Sequence, residues 1–478
     1  MPSNYIKLMK KKIKNITFFV IISMMMGCSN NQKTTENTSP IKSHADIELI
    51  VLDPGHFHAS LLQKKKMEGI SDTVRIYSPI GTGINQYLTS IQSYNERTDN
   101  PTCWVEQSYI ADDYLSKMIS DARGDVVILA GNNKKKAHYI AMAIQQGYHV
   151  IADKPMAINE NDFNMLLESY RMAKNKNLVL YDLMTERYDL LNIIEKKLLQ
   201  QKDLFGELQS GTPQEPAITM ESVHHFYKNV SGKPLIRPAW YYDVEQQGEG
   251  IADVTTHLID LVQWQCFPEQ SLNYKTDIQM IDAKHWPVSI SLAEFKQSTQ
   301  SDSFPPYLQK YRKDGKLDVL ANGSLNFAIK GIHIGMSVIW NYVAPEGSGD
   351  TFASIKKGSI STLKTIQNKK TNFVKELYIQ KNRNITSSDF EEVLNEFVGK
   401  LQVEYPFISL KKEGEELYLI DIPQTERLGH EEHFNKVAKQ FFHYIKQEDM
   451  PEWERHNTIS KYYITTTAVE MAKKNTDK

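Results

Sequence analysis

Three stretches of this sequence hold side chains whose types and spacing can do chemistry. Asp253, His257 and Asp260 fall at i, i+4 and i+7, so a helix would present all three on one face. An imidazole that titrates near neutrality suits proton transfer from a hydroxyl, while the plainer role for Asp253 is a helix cap or a prop for its neighbours. His224-His225, Lys228, Arg237, Trp240 and Tyr241 cluster just upstream. Trp240 can stack on a sugar face and Arg237 can hold a hydroxyl or carboxylate, so this cluster suits a polyhydroxylated ligand. Adjacent histidines on a strand point to opposite sides, which makes His224-His225 a poor metal pair, and no metal site is expected. The third stretch, Asp53-Pro54-Gly55-His56-Phe57-His58, has the composition of a turn, with histidine ring N–H groups that could donate to an anion.

The elements that must position these residues are legible in the hydrophobic pattern. Apolar runs at 47–52, 74–77, 125–130, 148–152 and 178–181 alternate with helical stretches at 57–65, 84–94, 134–146 and 161–174. Room remains for one more strand before Asp125, and Gly147 suits the position just past a helix end. Such alternation specifies a parallel sheet covered on both faces: an α/β, doubly wound Rossmann domain over residues 46–185. Ligands of such sheets bind outside the carboxyl ends of the strands, which selects the loops 53–58, 78–83, 131–134 and 153–157. The first loop stands where a dinucleotide fold shows G-x-G-x-x-G, and only the middle glycine, Gly55, is kept. The second has Ser78 where an acid usually holds the adenosine ribose, which leaves NAD and NADP both open. After Glu186, alternating stretches at 272–283, 288–295, 324–330, 333–342 and 371–379 predict a C-terminal α+β domain, residues 186–478. Its sheet is expected to be mainly antiparallel and open on one face, with closing helices at 431–446 and 459–473.

Two of these segments carry a family resemblance. Gly147-Tyr148-His149-Val150-Ile151-Ala152-Asp153-Lys154-Pro155 resembles the glycine-to-E-K-P segment of the Gfo/Idh/MocA oxidoreductases (glucose–fructose oxidoreductase, inositol dehydrogenase and relatives), with Asp153 in place of the usual Glu. Gly248-Glu249-Gly250-Ile251-Ala252-Asp253, running on to His257 and Asp260, resembles the second hallmark, G-G-G-x-x-x-D-x-x-x-H-x-x-D. Here the glycines lie one residue closer to Asp253, and Glu249 is expected to bring a charge near the site. The ending, with Arg427, Gly429, His430 and Lys461-Tyr462-Tyr463, looks like that of a secreted Bacteroidetes-type branch of the family. The resemblance implies an NAD(P)-dependent oxidoreductase acting on a CH–OH group of a sugar or sugar derivative. It implies Lys154, His257 and Asp253 as catalytic residues, with Lys154 between nicotinamide and substrate and kept cationic by Asp253 or Asp153. The cofactor site, for NAD or NADP, would draw on Gly55, His56, Phe57, His58, Ser78, Gly131, Asn132, Asn133, Asp153, Lys154 and Pro155. Glu186, Arg187, Arg237, Trp240 and Tyr241 would meet the substrate, and a homo-oligomer is expected.

The N-terminus bears on where this would happen. Lys10, Lys11, Lys12 and Lys14 precede an apolar run at 16–26 that stops at Gly27-Cys28, too short to span a bilayer. Met25-Met26-Gly27-Cys28 resembles a lipobox. Residues 1–27 are therefore expected to be a lipoprotein signal peptide, Cys28 the lipidated residue, and 28–45 a flexible tether to a membrane on the periplasmic or cell-surface face. Loss of the five leader lysines would take the net charge from −2 to −7, with no basic tract left, so nucleic acid is not an expected partner. Cys103 and Cys266, without a CxxC, argue against a thiolate metal site and a disulfide framework. Free dinucleotide is not supplied outside the cytoplasm, and the leader lacks a twin arginine, so a tightly held, self-recycling cofactor is expected. Two alternatives remain open: an NAD-dependent glycoside hydrolase acting by oxidation and elimination, and a cofactor-free sugar-binding lipoprotein.

Overall fold

The computed structural model describes residues 46–476 apart from 231, 232 and 384, so the expected leader, Cys28 and the tether lie outside the described residues. Six strands, β1 (Ile47–Leu52), β2 (Ile70–Ser78), β3 (Val105–Ile110), β4 (Val126–Leu129), β5 (His149–Ala152) and β6 (Leu180–Asp182), make the first sheet. Their order is β3-β2-β1-β4-β5-β6 and every pair is parallel, which is the doubly wound order. The strand for which the pattern leaves only room is β3. It lies at the sheet edge and is mostly exposed, so it lacks the apolar run that marks β1, β4 and β5.

Helices cover both faces. α1 (His58–Leu61) and α2 (Thr82–Glu96) pack on one, and α3 (Tyr114–Asp121), α4 (Lys136–Gln146) and α5 (Glu160–Asn175) on the other. Gly147, at φ 94°, ends α4, and the Asn159 side chain accepts the Asp162 N–H to cap α5. The helix expected over 57–65 is only the single turn α1. The chain leaves it after Leu61, and Lys64, Lys65 and Lys66 instead pair outward with Glu431, Glu432 and Asp72.

The second region begins with α6 (Leu190–Leu199), β7 (Ile218–Tyr227) and a small hairpin of β8 (Asn229–Val230) and β9 (Lys233–Pro234). Three helices follow, α7 (Val244–Gln247), α8 (Gly250–Asp253) and α9 (Thr255–Cys266). Then come β10 (Ile278–Ile290), α10 (Leu292–Thr299), β11 (Arg312–Lys313), β12 (Lys316–Ile329) and β13 (Ile332–Val343). β14 (Thr351–Lys357), β15 (Ser361–Gln367), β16 (Glu376–Lys381), α11 (Ser387–Glu404), β17 (Ser409–Lys412) and β18 (Leu417–Asp421) complete the sheet. The sheet runs β10-β12-β13-β7-β14-β15-β16-β18-β17, antiparallel except between β13 and β7.

Two expectations are corrected here. The stretches 272–283 and 288–295 are not two strands: β10 runs through to Ile290, and Ser291 with Glu294 then forms a capping box that starts α10. The strand expected at 371–379 begins only at Glu376, because Asn368 caps a short helical turn over Lys369–Thr371.

One sheet face buries Ile218, Met220, Phe327 and Met336 against α9. The opposite face is open over Thr219, Glu221, Asn326 and Ser337. α12 (His430–Gln447) returns to the first sheet, where Phe434, Val437 and Phe441 join the core of Val51 and Ile76. α13 (Glu452–Thr476) lies between the layers, with Ile459 and Tyr462 toward one and Ile464, Ala468 and Val469 toward the other. The loop after β4 is bonded to α7, and the loop after β5 reaches α8. Cys103 and Cys266 are both unbridged.

Candidate active site

Close approach of the loops after β1, β2 and β4 depends on glycine. A Cβ on Gly83 would lie 2.5 Å from the Pro54 carbonyl oxygen, and one on Gly131 2.4 Å from that of Asp53. A Cβ on Gly55 would meet only ordinary contacts, the nearest at 3.4 Å. Gly83, which the sequence pattern did not single out, is therefore more constrained by packing than Gly55. A cleft of about 490 Å³ results, running past Gly55, Ser78 and Asn132 and walled by Pro238, Trp240 and Tyr307. Asp53 does not leave a bare charge beside it. Its carboxylate accepts from the Tyr139 hydroxyl at 2.7 Å and pairs with Lys135 at 3.3 Å. Ser78 lines the cleft, although its Oγ donates to the Pro79 carbonyl at 3.0 Å. Phe57 is half exposed beside the rings of His56 and His58.

At its closed end the cleft meets a smaller pocket lined by His56, Gly131, Asn133, Asp153, Lys154, Trp240, Tyr241, Gln247 and Asp253. Lys154 Nζ lies 2.6 Å from Asp253 Oδ1, while the Lys154 backbone N–H donates to Asp153 Oδ1 at 3.0 Å. Asp253, rather than Asp153, is thus the partner of the ammonium. Burial would raise the Asp253 pKa, yet the Lys154 charge and hydrogen bond hold it below the ordinary carboxylate value. The peptide bond from Lys154 to Pro155 is cis.

The glycines of the second segment set this geometry. Gly248 has φ 94°, and a Cβ on Gly250 would lie 1.8 Å from the Ala321 carbonyl oxygen, so only glycine lets α8 sit on β12 and deliver Asp253 to Lys154. Glu249 does not charge the pocket. It pairs with His285 of β10 at 2.6 Å, and both side chains are buried.

Behind the pocket Asp153 Oδ2 lies 2.9 Å from His58 Nδ1 and 3.4 Å from His56 Nδ1. Against the upward push of burial, these imidazoles and Lys136 hold the Asp153 pKa well below the ordinary value. Nδ1 of His58 is therefore turned to Asp153. Lys136 is wholly buried, its Nζ on the Asn133 side chain at 2.6 Å and the Asp153 carbonyl at 2.7 Å. Burial pushes its pKa down to about 8. Asn133 and Asn132 donate to Gln247 and Gln246, both at 2.7 Å, and so tie the β4 loop to α7.

Trp240 and Tyr241 enter the pocket from a short helical turn. Arg237 supports them from behind. Its buried guanidinium donates to the carbonyls of Phe226 and His225 and lies 4.4 Å from the Tyr241 ring centre, so it orders the wall of the cleft that it helps to line. His224 stacks on Trp340 at a ring separation of 5.1 Å. Both histidines approach one carboxylate: Asp350 is 2.9 Å from His225 and 3.6 Å from His224, and also pairs with Lys228 at 2.6 Å. Opposite orientation does not separate them, because Asp350 precedes the first paired residue of β14, Thr351, and sits at the strand end between them.

Some expected members lie elsewhere. Arg187 is sealed between Asp260, by two hydrogen bonds of 2.7 Å, and Glu454 at 2.8 Å, so it reaches no ligand. Asp260 is also 2.9 Å from Lys461 and does not share the pocket with Asp253; a break at Val254 separates α8 from α9. Glu186 pairs with Lys375 at 2.8 Å. His257, by contrast, stays beside the site, one turn beyond Asp253 and near enough to interact with it. Asp350, Lys136 and Gln247 are site neighbours that the sequence reading missed.

A doubly wound sheet, a glycine-lined cleft at its carboxyl end and a lysine–aspartate pair facing an aromatic wall define a two-domain nicotinamide-dependent oxidoreductase. The chain belongs to the Gfo/Idh/MocA oxidoreductases. Residues 55–181 match "Oxidoreductase family, NAD-binding Rossmann fold" and residues 194–473 match "Putative oxidoreductase C terminal domain". The crystal structure of a "putative oxidoreductase" from Parabacteroides merdae is similar at 45% identity and a TM-score of 0.88, over 90% of this chain and 98% of that one. More distant structures share the fold. One from Thermotoga maritima has 13% identity, a TM-score of 0.57 and coverage of 90% and 98%. Levoglucosan dehydrogenase in complex with NADH and L-sorbose has 14% identity, a TM-score of 0.57 and coverage of 90% and 97%. No curated protein matches the chain. The cofactor is accordingly a nicotinamide dinucleotide, NAD or NADP, and the glycine-bounded cleft fits one.

Proposed function

We propose that this enzyme oxidises a CH–OH group of a sugar or sugar derivative and completes its cycle without releasing the cofactor. The observation that carries the reading is the Lys154–Asp253 pair at the closed end of the cleft, in one pocket with Trp240 and Tyr241. The bound dinucleotide supplies a hydride acceptor and donor there. Lys154 holds positive charge where a carbinol oxygen gains negative charge, and Asp253 fixes that ammonium. His257 takes the hydroxyl proton, and the Trp240 ring offers a flat apolar face to a sugar ring. A retained cofactor follows from the proposed export of the chain as a lipoprotein acylated on Cys28, to a compartment without free dinucleotide.

Sugars deuterated at the reacting carbon test the reaction. With an unlabelled keto-sugar as acceptor, deuterium should pass from donor to acceptor without entering added NAD. Deuterium in the added cofactor would contradict retention, and deuterium in neither product would contradict sugar oxidation. For the anchor, Cys28→Ala should move the protein from the membrane to the soluble fraction; unchanged membrane association would count against lipidation.

A further inference from the structure

The turn after β1 and the loop after β5 bring together a second set of donor atoms at the closed end of the cleft. One ring nitrogen of His56, one of His58 and a carboxylate oxygen of Asp153 all lie within 4.8 Å of one another. Oδ2 of Asp153 is 2.9 Å from one imidazole nitrogen and 3.4 Å from the other. Ligand atoms bound at about 2.1 Å around a tetrahedral or octahedral ion are separated by roughly 3.0 to 3.5 Å, and both histidine contacts to Asp153 already lie close to that spacing.

The surroundings favour a cation over a plain hydrogen-bonded carboxylate. His56 Nδ1 is buried and makes no hydrogen bond, because its approach to Oδ2 has the wrong geometry for one. Asp153 is held through its other oxygen by the Lys154 N–H, which leaves Oδ2 aimed at the histidines. The His58 ring packs 4.6 Å from that of Phe434, which fixes its orientation. The two nearby ammonium groups are already committed, Lys154 to Asp253 and Lys136 to Asn133 and the Asp153 carbonyl.

We propose that His56, His58 and Asp153 form a binding site for one divalent transition-metal ion of the zinc class. Two imidazole nitrogens and one carboxylate oxygen are a donor set for such ions, and three protein ligands leave a coordination position open. His56 and Asp153 also line the pocket beside Lys154, so an oxygen atom of an occupant of that pocket would take the open position. The proposal goes beyond the oxidoreductase reading and does not depend on it.

The experiment uses untagged protein, stripped with a chelator and dialysed to equilibrium against Zn²⁺, with bound metal read by elemental analysis. Co²⁺ serves as a second probe, read by its visible absorption. Wild type should hold roughly one equivalent of Zn²⁺, and His56→Ala should weaken binding by more than about 100-fold and abolish the Co²⁺ bands. Asp153→Asn should do the same. Should that buried change unfold the protein, as circular dichroism would reveal, the partly exposed His56 still decides the matter. No retained Zn²⁺ in wild type, or Zn²⁺ binding and Co²⁺ bands unaltered by His56→Ala, would overturn the site.

Discussion

Asp253 and Asp260 stand seven residues apart, and each is buried against a basic side chain, yet they belong to different parts of the molecule's business. Asp260 is enclosed on all sides: Arg187 grips it with two hydrogen bonds of 2.7 Å, and Lys461 approaches to 2.9 Å. The same two cations continue to Glu454 and Asp182, so one network joins the end of the Rossmann sheet to α9 and α13. Asp253 has one short ionic contact, to Lys154, at a pocket that opens into the cleft. A charge that is satisfied from every side holds elements together, whereas a charge satisfied from one side keeps a cation ready for a ligand.

Breaking each cluster should therefore have different consequences. The largest effect is expected from Lys154→Met, which should lower kcat by about 10³- to 10⁴-fold, since it removes charge stabilisation at the reacting oxygen. Its stability loss should stay near 1 to 2 kcal/mol, because water in the cleft can reach the orphaned Asp253, and denaturant unfolding would show it. A Lys154→Met enzyme with full turnover would remove that side chain from the chemistry.

Asp260→Asn should do the reverse, costing about 3 to 5 kcal/mol of stability while leaving kcat per folded molecule nearly unchanged. The effect carries a pH signature. Burial would raise the Asp260 carboxyl, but Arg187 and Lys461 hold it below its ordinary 3.8. A depressed carboxylate adds stability that is complete above its unfolded value and is lost as pH falls through its folded value. The gap between wild type and Asp260→Asn should thus be widest near neutrality and shrink below about pH 4. A gap that is constant with pH would deny the charge its role.

Smaller effects separate the two loop glycines. Gly131→Ala places a methyl 2.4 Å from the Asp53 carbonyl oxygen and should cost about 1 to 3 kcal/mol of stability. Gly55→Ala meets nothing closer than 3.4 Å, so its stability should change by less than about 1 kcal/mol. Calorimetric melting of both variants would check the order, and equal destabilisation would refute the packing argument.

The same contrast explains what could be read in the sequence. The parallel sheet was legible because β1, β4 and β5 are largely apolar runs, and the Lys154 loop because the stretch from Gly147 to Pro155 resembles the glycine-to-E-K-P segment of the family. Lys134-Lys135-Lys136 looks like a solvated run, yet Lys136 is buried beneath Asp153, a fate set by a strand end elsewhere in the sheet. Arg187 meets partners 73 and 267 residues away, which no local pattern can announce. Asp350 lies just outside a strand, in a stretch with no periodicity, and only the pairing of β14 with β7 brings it to the histidines.

The cleft between Gly55 and Lys154 fits a nicotinamide dinucleotide. Calorimetry of the cofactor-stripped protein with NAD and with NADP, run beside an assay of the NAD(P)(H) released when purified protein is denatured, tests it most directly. Released cofactor in near-stoichiometric amount, and saturable binding heat with at least one dinucleotide, are expected. No released cofactor, together with no heat from either dinucleotide at millimolar concentration, would contradict it.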